Sequence, residues 1–200
     1  MLHVGLTGGL ATGKSFVGEA LAKLGCHVIC ADDLGHQVLL PGGEAYDAVV
    51  REFGDSILDD ERIIDRRRLG ALVFGNPERL QKLSSLVHPA VRQREREMEE
   101  AIERKDPHGI VVVEAAILVE TGSNKRFDKL IVTVCTMEQQ VERAMRRDAL
   151  TREEAMARLS RQLPSEEKIK VADYVVDTSG SKESTLERVR EIHESLRSVQ

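Results

Sequence analysis

The chain has 200 residues, 41% of them hydrophobic and 32% charged, with no Trp and only 3% aromatics; that excludes wholesale disorder and predicts an aliphatic core. A net charge of −5 excludes a general nucleic-acid binder, which needs a basic face to release counterions. Three cysteines without a CxxC pair, an N-terminus with no charged leader, and a longest apolar run (110–119, broken by Glu114) far below the roughly 20 residues of a membrane span predict a cytoplasmic protein that uses no membrane.

Five short apolar runs read as strands: Leu2–Leu6, His27–Ala31, Ile110–Val113, Leu130–Val134 and Tyr174–Val176. Several are continuous rather than alternating, as in strands covered on both faces. Helical patterns separate them, so the expected fold is α/β, a five-stranded parallel sheet flanked by helices. The first helix carries Phe16, Val17, Ala20, Leu21 and Leu24 on one stripe and ends at Gly25. Residues 36–108 have no good strand and form a helical insertion. Within it Asn76-Pro77 starts a helix, His88-Pro89 interrupts it, and the charged run 91–105 follows.

A second helical insertion spans 136–171. Thr136-x₂-Gln139 and Thr151-x₂-Glu154 both fit the capping box, 148–150 joins the two helices, and Pro164 ends the second. Ser184-x₂-Glu187 is expected to open the last helix. The core is then 1–35, 109–135 and 172–200, in one unit of 200 residues.

Gly8-Gly9-Leu10-Ala11-Thr12-Gly13-Lys14-Ser15 matches GxxxxGK[ST], between a strand and a helix as that motif requires. Its glycines let backbone N–H groups face phosphate oxygens, and the helix N-terminus adds its positive end. The nucleotide-binding set is Gly8, Gly9, Ala11, Thr12, Gly13, Lys14, Ser15 and Phe16. Lys14 is expected on the β- and γ-phosphates and the Ser15 hydroxyl on Mg²⁺. Glu114 after a hydrophobic strand fits a Walker-B carboxylate and is the second metal candidate. Asp32, with Asp33 beside it, stands past strand two. It suits a base for an attacking hydroxyl or a helix cap, and position alone leaves both open.

Arg143 and Arg147 share a face at i, i+4 on the helix after strand four, where a closing helical pair would neutralise phosphate charge. A solvated face fits Arg146 and Arg152 better. The six His show no HExxH, so no structural zinc is expected. Asn124-Lys125-Arg126-Phe127 lacks the aspartate that selects guanine, which argues against a GTPase.

These residues resemble the dephospho-coenzyme A kinase family along nearly the whole chain. The carriers are Gly5-Leu6-Thr7-Gly8-Gly9-x₃-Gly13-Lys14-Ser15, Ala31-Asp32-x₃-His36-x₄-Pro41-Gly42, Asp65-Arg66-x₂-Leu69-x₃-Val73-Phe74 and His88-Pro89-x₂-Arg92. Leu118-Val119-Glu120, Arg143-x₃-Arg147-Asp148, Arg158-x₃-Gln162, Ala172-Asp173 and Gly180 continue it. The resemblance implies a P-loop kinase core with a helical coenzyme-binding domain (36–108) and a lid (136–171). It implies ATP and Mg²⁺, dephospho-coenzyme A as acceptor, and transfer to the ribose 3′-hydroxyl.

By the same resemblance Asp32 is the base, with Lys14, Arg143 and Arg147 assisting. Asp32, His36, Arg66, His88, Arg92 and Glu120 hold the acceptor. A monomer is expected. The chain departs from the family pattern at Cys30 and Glu114, where Asp is common, at Ala116 for Pro, and at Thr178 for Asn. Another P-loop small-molecule kinase, acting on a nucleoside, nucleotide or small alcohol, is the alternative reading. A nucleotide-dependent binding protein is the third.

Overall fold

The computed structural model describes residues 1–73 and 75–199. Phe74, in the expected helical motif, and Gln200 lie outside the described residues. The chain divides into two compact units, Met1–Cys30 with Ala101–Gln200, and Ala31–Glu100.

The first unit holds one sheet of five parallel strands in the order β2-β3-β1-β4-β5. They are β1 (Leu2–Gly8), β2 (His27–Cys30), β3 (Ile110–Glu114), β4 (Lys129–Val134) and β5 (Tyr174–Asp177). Continuous apolar runs make the central strands insoluble on both faces, and Val4, Leu6, Val111, Val112, Ile131 and Val132 are fully buried. Helix α1 (Lys14–Lys23) and the last helix, α9 (Lys182–Ser198), pack together. Val17 and Leu21 of α1 join Val189, Ile192 and Leu196 of α9 in one core with β1 and β4. Burial of each such side chain contributes roughly 1.5–3 kcal/mol.

Glu114 is the last residue of β3 rather than a residue beyond it, in register with Leu6 on one side and Cys30 on the other. Both threonine capping boxes form. Thr136 opens α6 (Met137–Asp148) and Thr151 opens α7 (Arg152–Leu159). The pair encloses Val141, Ala144 and Ala155, and Leu10 and Ala11 pack onto the same cluster.

Strand β1 runs on to Gly8 and β2 stops at Cys30, because Ala31 already opens a helix; two helix boundaries also differ from the sequence expectation. Helix α7 stops at Leu159, and Pro164 instead precedes a further short helix, α8 (Ser165–Ile169). Helix α9 starts three residues early, because the Ser181 hydroxyl accepts the Ser184 N–H at 3.1 Å and takes the N-cap role.

The second unit is helical: α2 (Ala31–Gln37), α3 (Tyr46–Phe53), α4 (Arg66–Val73) and most of α5 (Pro77–Lys105). Val38, Val49, Ile57, Leu58, Ile64, Leu69 and Val73 form its core. Asn76 caps α5 by accepting the Arg79 N–H at 3.1 Å. Pro89 does not interrupt this helix, contrary to expectation. The lost bond is the one to the Ser85 carbonyl. Ser85 and Pro89 are both exposed, so water can serve that carbonyl.

Candidate active site

The loop between β1 and α1 is shaped by close contacts. A Cβ at Gly8 would sit 2.2 Å from Thr133 Oγ1, so no side chain fits there. Gly13 has φ +85° and offers no side-chain cap to α1, which leaves the positive end of the helix to an anion. Thr12 is fully buried, and its hydroxyl lies 2.9 Å from Gly9 O and 2.7 Å from Thr133 Oγ1. Lys14 Nζ arches back over the loop and donates to Gly8 O and Gly9 O, both at 3.2 Å. Ser15 Oγ donates to Glu114 Oε1 at 2.9 Å, and Glu114 is 6% exposed. Strand register thus delivers a carboxylate to the first turn of α1.

A cavity of about 310 Å³ opens over this loop, lined by residues 11–16 with Arg143, Arg146 and Arg147 of α6. Arg143 donates through Nη1 to Thr178 Oγ1 (3.0 Å) and through Nη2 to Thr178 O (2.7 Å). Thr178 in turn donates to Thr12 O at 2.9 Å, so α6, the turn after β5 and the phosphate loop share one hydroxyl. Arg147 grips Asp148 with bonds of 2.7 and 3.0 Å, and Arg158 of α7 approaches the same carboxylate at 3.5 Å. The hydrogen bond from Arg147 is the chief reason the Asp148 carboxyl titrates below its usual range. Arg146 is exposed, as on a solvated face, and also lines the cavity.

Glu120, expected to meet the acceptor, is engaged within the protein. It pairs with Lys168 at 2.7 Å and accepts the Leu163 N–H at 3.2 Å. Lys168 is completely buried and also donates to Ala116 O at 3.0 Å. Neither Lys168 nor Thr178 stood out in the sequence as a site residue. The signal for Thr178 was its departure from the family's Asn; a lysine among charged residues carried none.

The second unit carries the remaining expected residues. Asp32 and Asp33 are exposed in the first turn of α2, and His36 is exposed in its last turn. Asp65 accepts the Arg67 and Arg68 N–H groups at 2.8 and 3.2 Å, which caps α4 and fixes Arg66 as its first residue. His88 and Arg92 lie one turn apart on α5. His88 is half-buried, and burial first, then the Arg92 charge, holds its imidazole below the usual value. Of the site residues expected in the first unit, Ala11, Thr12, Gly13, Lys14, Ser15, Phe16, Arg143 and Arg147 line one cavity.

A family model described as dephospho-CoA kinase (CoaE) matches residues 2–184. The dephospho-CoA kinase of Aquifex aeolicus is 40% identical over 98% of this chain and 98% of its own length. That of Carboxydothermus hydrogenoformans is 42% identical over 93% of this chain and 90% of its own. Among solved structures, a dephospho-CoA kinase from Campylobacter jejuni superposes with a TM-score of 0.72 at 28% identity, covering 98% of this chain and 97% of that one. With the phosphate loop, the buried Glu114 and the arginine-bearing α6 all present in one unit, the chain belongs to the dephospho-CoA kinase family.

Proposed function

We propose that the protein transfers the γ-phosphoryl group of ATP to the ribose 3′-hydroxyl of dephospho-coenzyme A, the last step of coenzyme A synthesis, as a cytoplasmic monomer. The family match over residues 2–184 carries this reading. The phosphate loop with its Ser15–Glu114 contact supports it chemically.

Such transfer needs positioning and charge stabilisation more than covalent chemistry. Backbone N–H groups of the loop hold the phosphates, with Lys14 on the β- and γ-oxygens. Ser15 and Glu114 offer two hard oxygen atoms 2.9 Å apart, which suits Mg²⁺, an ion that takes one or two protein ligands and leaves its other positions to water and phosphate. When bound, the ion neutralises charge on the phosphate oxygens.

Arg143 is held in place by Thr178, so its charge is preorganised. Arg147 exchanges Asp148 for phosphate oxygens as the nucleotide binds. Asp32 accepts the proton of the attacking hydroxyl, and His36, Arg66, His88 and Arg92 hold the acceptor. The low pKa of His88 keeps its ring neutral near pH 7, a hydrogen-bonding partner rather than a charge.

A coupled ADP-release assay over a panel of acceptors tests the proposal. Release should depend on dephospho-coenzyme A and be near background with nucleosides, nucleotides, small alcohols or no acceptor. Equal rates with a simple nucleoside would favour a different small-molecule kinase.

A further inference from the structure

We infer that Gln162 is a positioning residue for the γ-phosphate end of the phosphate loop. Its side-chain Oε1 accepts the backbone N–H of Leu10 at 2.7 Å, across 152 positions of sequence. This inference rests on the reading of the loop as a nucleoside triphosphate site.

The γ-phosphate end can be located from Lys14. A P-loop lysine places its ammonium on the β- and γ-phosphates. Here that ammonium lies over the Gly8 and Gly9 carbonyls, 3.2 Å from each. Residues 8–10 are therefore the γ end, and the Ser15 end of the loop faces the rest of the nucleotide.

That end is gripped from three sides. Leu10 and Ala11 pack onto the apolar cluster of Val141, Ala144 and Ala155 between α6 and α7. A Cβ at Gly9 would stand 2.9 Å from Gln140 Oε1 and 3.6 Å from Gln162 Oε1, so two amide side chains flank the Gly9–Leu10 peptide. Without Gln162 the Leu10 N–H loses its acceptor, and the peptide is held only through the Gly9 carbonyl, which takes the Thr12 hydroxyl at 2.9 Å and the Lys14 ammonium at 3.2 Å.

Gln162 is itself anchored. Its own N–H bonds to Leu159 O at 3.0 Å, and the next residue, Leu163, donates to Glu120 at 3.2 Å. Glu120 is fixed by the buried Lys168 at 2.7 Å. The segment after α7 thus ties the phosphate loop to the connection that follows β3. Preorganisation of the loop matters most for the phosphate nearest its tip, so Gln162 should separate ATP from ADP rather than strengthen both.

Two measurements on the full chain test this. Amide exchange of the nucleotide-free protein should show Leu10 protected in the wild type and exchanging at least about tenfold faster in Gln162→Leu. Gln162→Glu, which keeps the acceptor, should retain protection. Calorimetric titration should show ATP affinity reduced about three- to tenfold in Gln162→Leu and ADP affinity nearly unchanged, with the melting temperature within a few degrees of wild type.

A wild-type Leu10 amide that exchanges as an exposed one overturns the assignment without any variant. Equal weakening of ATP and ADP, or of neither, overturns the γ-end role alone. A wild-type chain that binds neither nucleotide contradicts the nucleotide reading itself.

Discussion

Lys168→Met removes the positive partner of a buried ion pair and retains the stem's apolar volume. Lys168 has no exposed surface, and its ammonium has Glu120 at 2.7 Å and Ala116 O at 3.0 Å. Breaking a buried pair by removing one partner typically costs about 3–5 kcal/mol, because the other charge is stranded. Three facts place this case at the lower end. The Glu120 side chain is 19% exposed and so partly hydrated. It keeps the Leu163 N–H at 3.2 Å. Ala116 O keeps the Thr7 hydroxyl at 3.2 Å.

A loss of about 3 kcal/mol is therefore expected. At about 2–4 °C per kcal/mol for a chain of this size, the melting temperature should fall by about 6–12 °C. The double variant Glu120→Gln with Lys168→Met removes the stranded charge and should recover at least about 1 kcal/mol relative to Lys168→Met alone. Thermal and urea unfolding of the wild type, both single variants and the double variant give the coupling directly. A Lys168→Met protein within about 0.5 kcal/mol of wild type, or additive single effects, would refute the reasoning.

Three further outcomes are expected. Asp32→Asn should lower turnover by about 10²–10⁴ while ATP still binds, as for loss of a general base; near-normal turnover removes Asp32 from that role. Thr178→Val keeps the volume but deletes the hydroxyl shared by Arg143 and Thr12 O, so it should cost about 1–3 kcal/mol and raise the KM for ATP; an unchanged melt and KM would show that hydroxyl to be dispensable. Folded His88 and His193 both have lowered pKa values, each chiefly from burial, so the unfolded chain takes up their protons first. Stability is then full above about pH 6.5 and is lost as pH falls through that value toward the folded pKa. Melting at pH 7.5 and 5.5 checks the sign, and His88→Gln should flatten the slope.

What could be read from sequence follows the range of the interactions involved. The phosphate loop is local, with eight residues whose glycines and lysine carry their own geometry, and the capping boxes of Thr136 and Thr151 are as local. Strands were recognisable because burial on both faces writes continuous apolar runs. Pro89 misled because a single missing N–H is weighed against a helix of 29 residues, and long helices absorb the loss at an exposed turn. Ser184 reads as the cap of the last helix, but the Ser181 hydroxyl accepts its N–H at 3.1 Å and starts α9 earlier, a choice that the Ser184-x₂-Glu187 pattern does not show. Lys168, Thr178 and Gln162 act through partners 35 to 166 positions away in sequence, so Gln162 and Thr178 showed only through the family pattern and Lys168 not at all.

The most direct test of the account is the identity of the phosphorylated product. Wild-type protein incubated with dephospho-coenzyme A, Mg²⁺ and γ-labelled ATP should place the label on the ribose 3′-oxygen, seen as a new phosphomonoester coupled to that ribose proton by phosphorus NMR. Label recovered only as inorganic phosphate, or on any other oxygen of the acceptor, would contradict it.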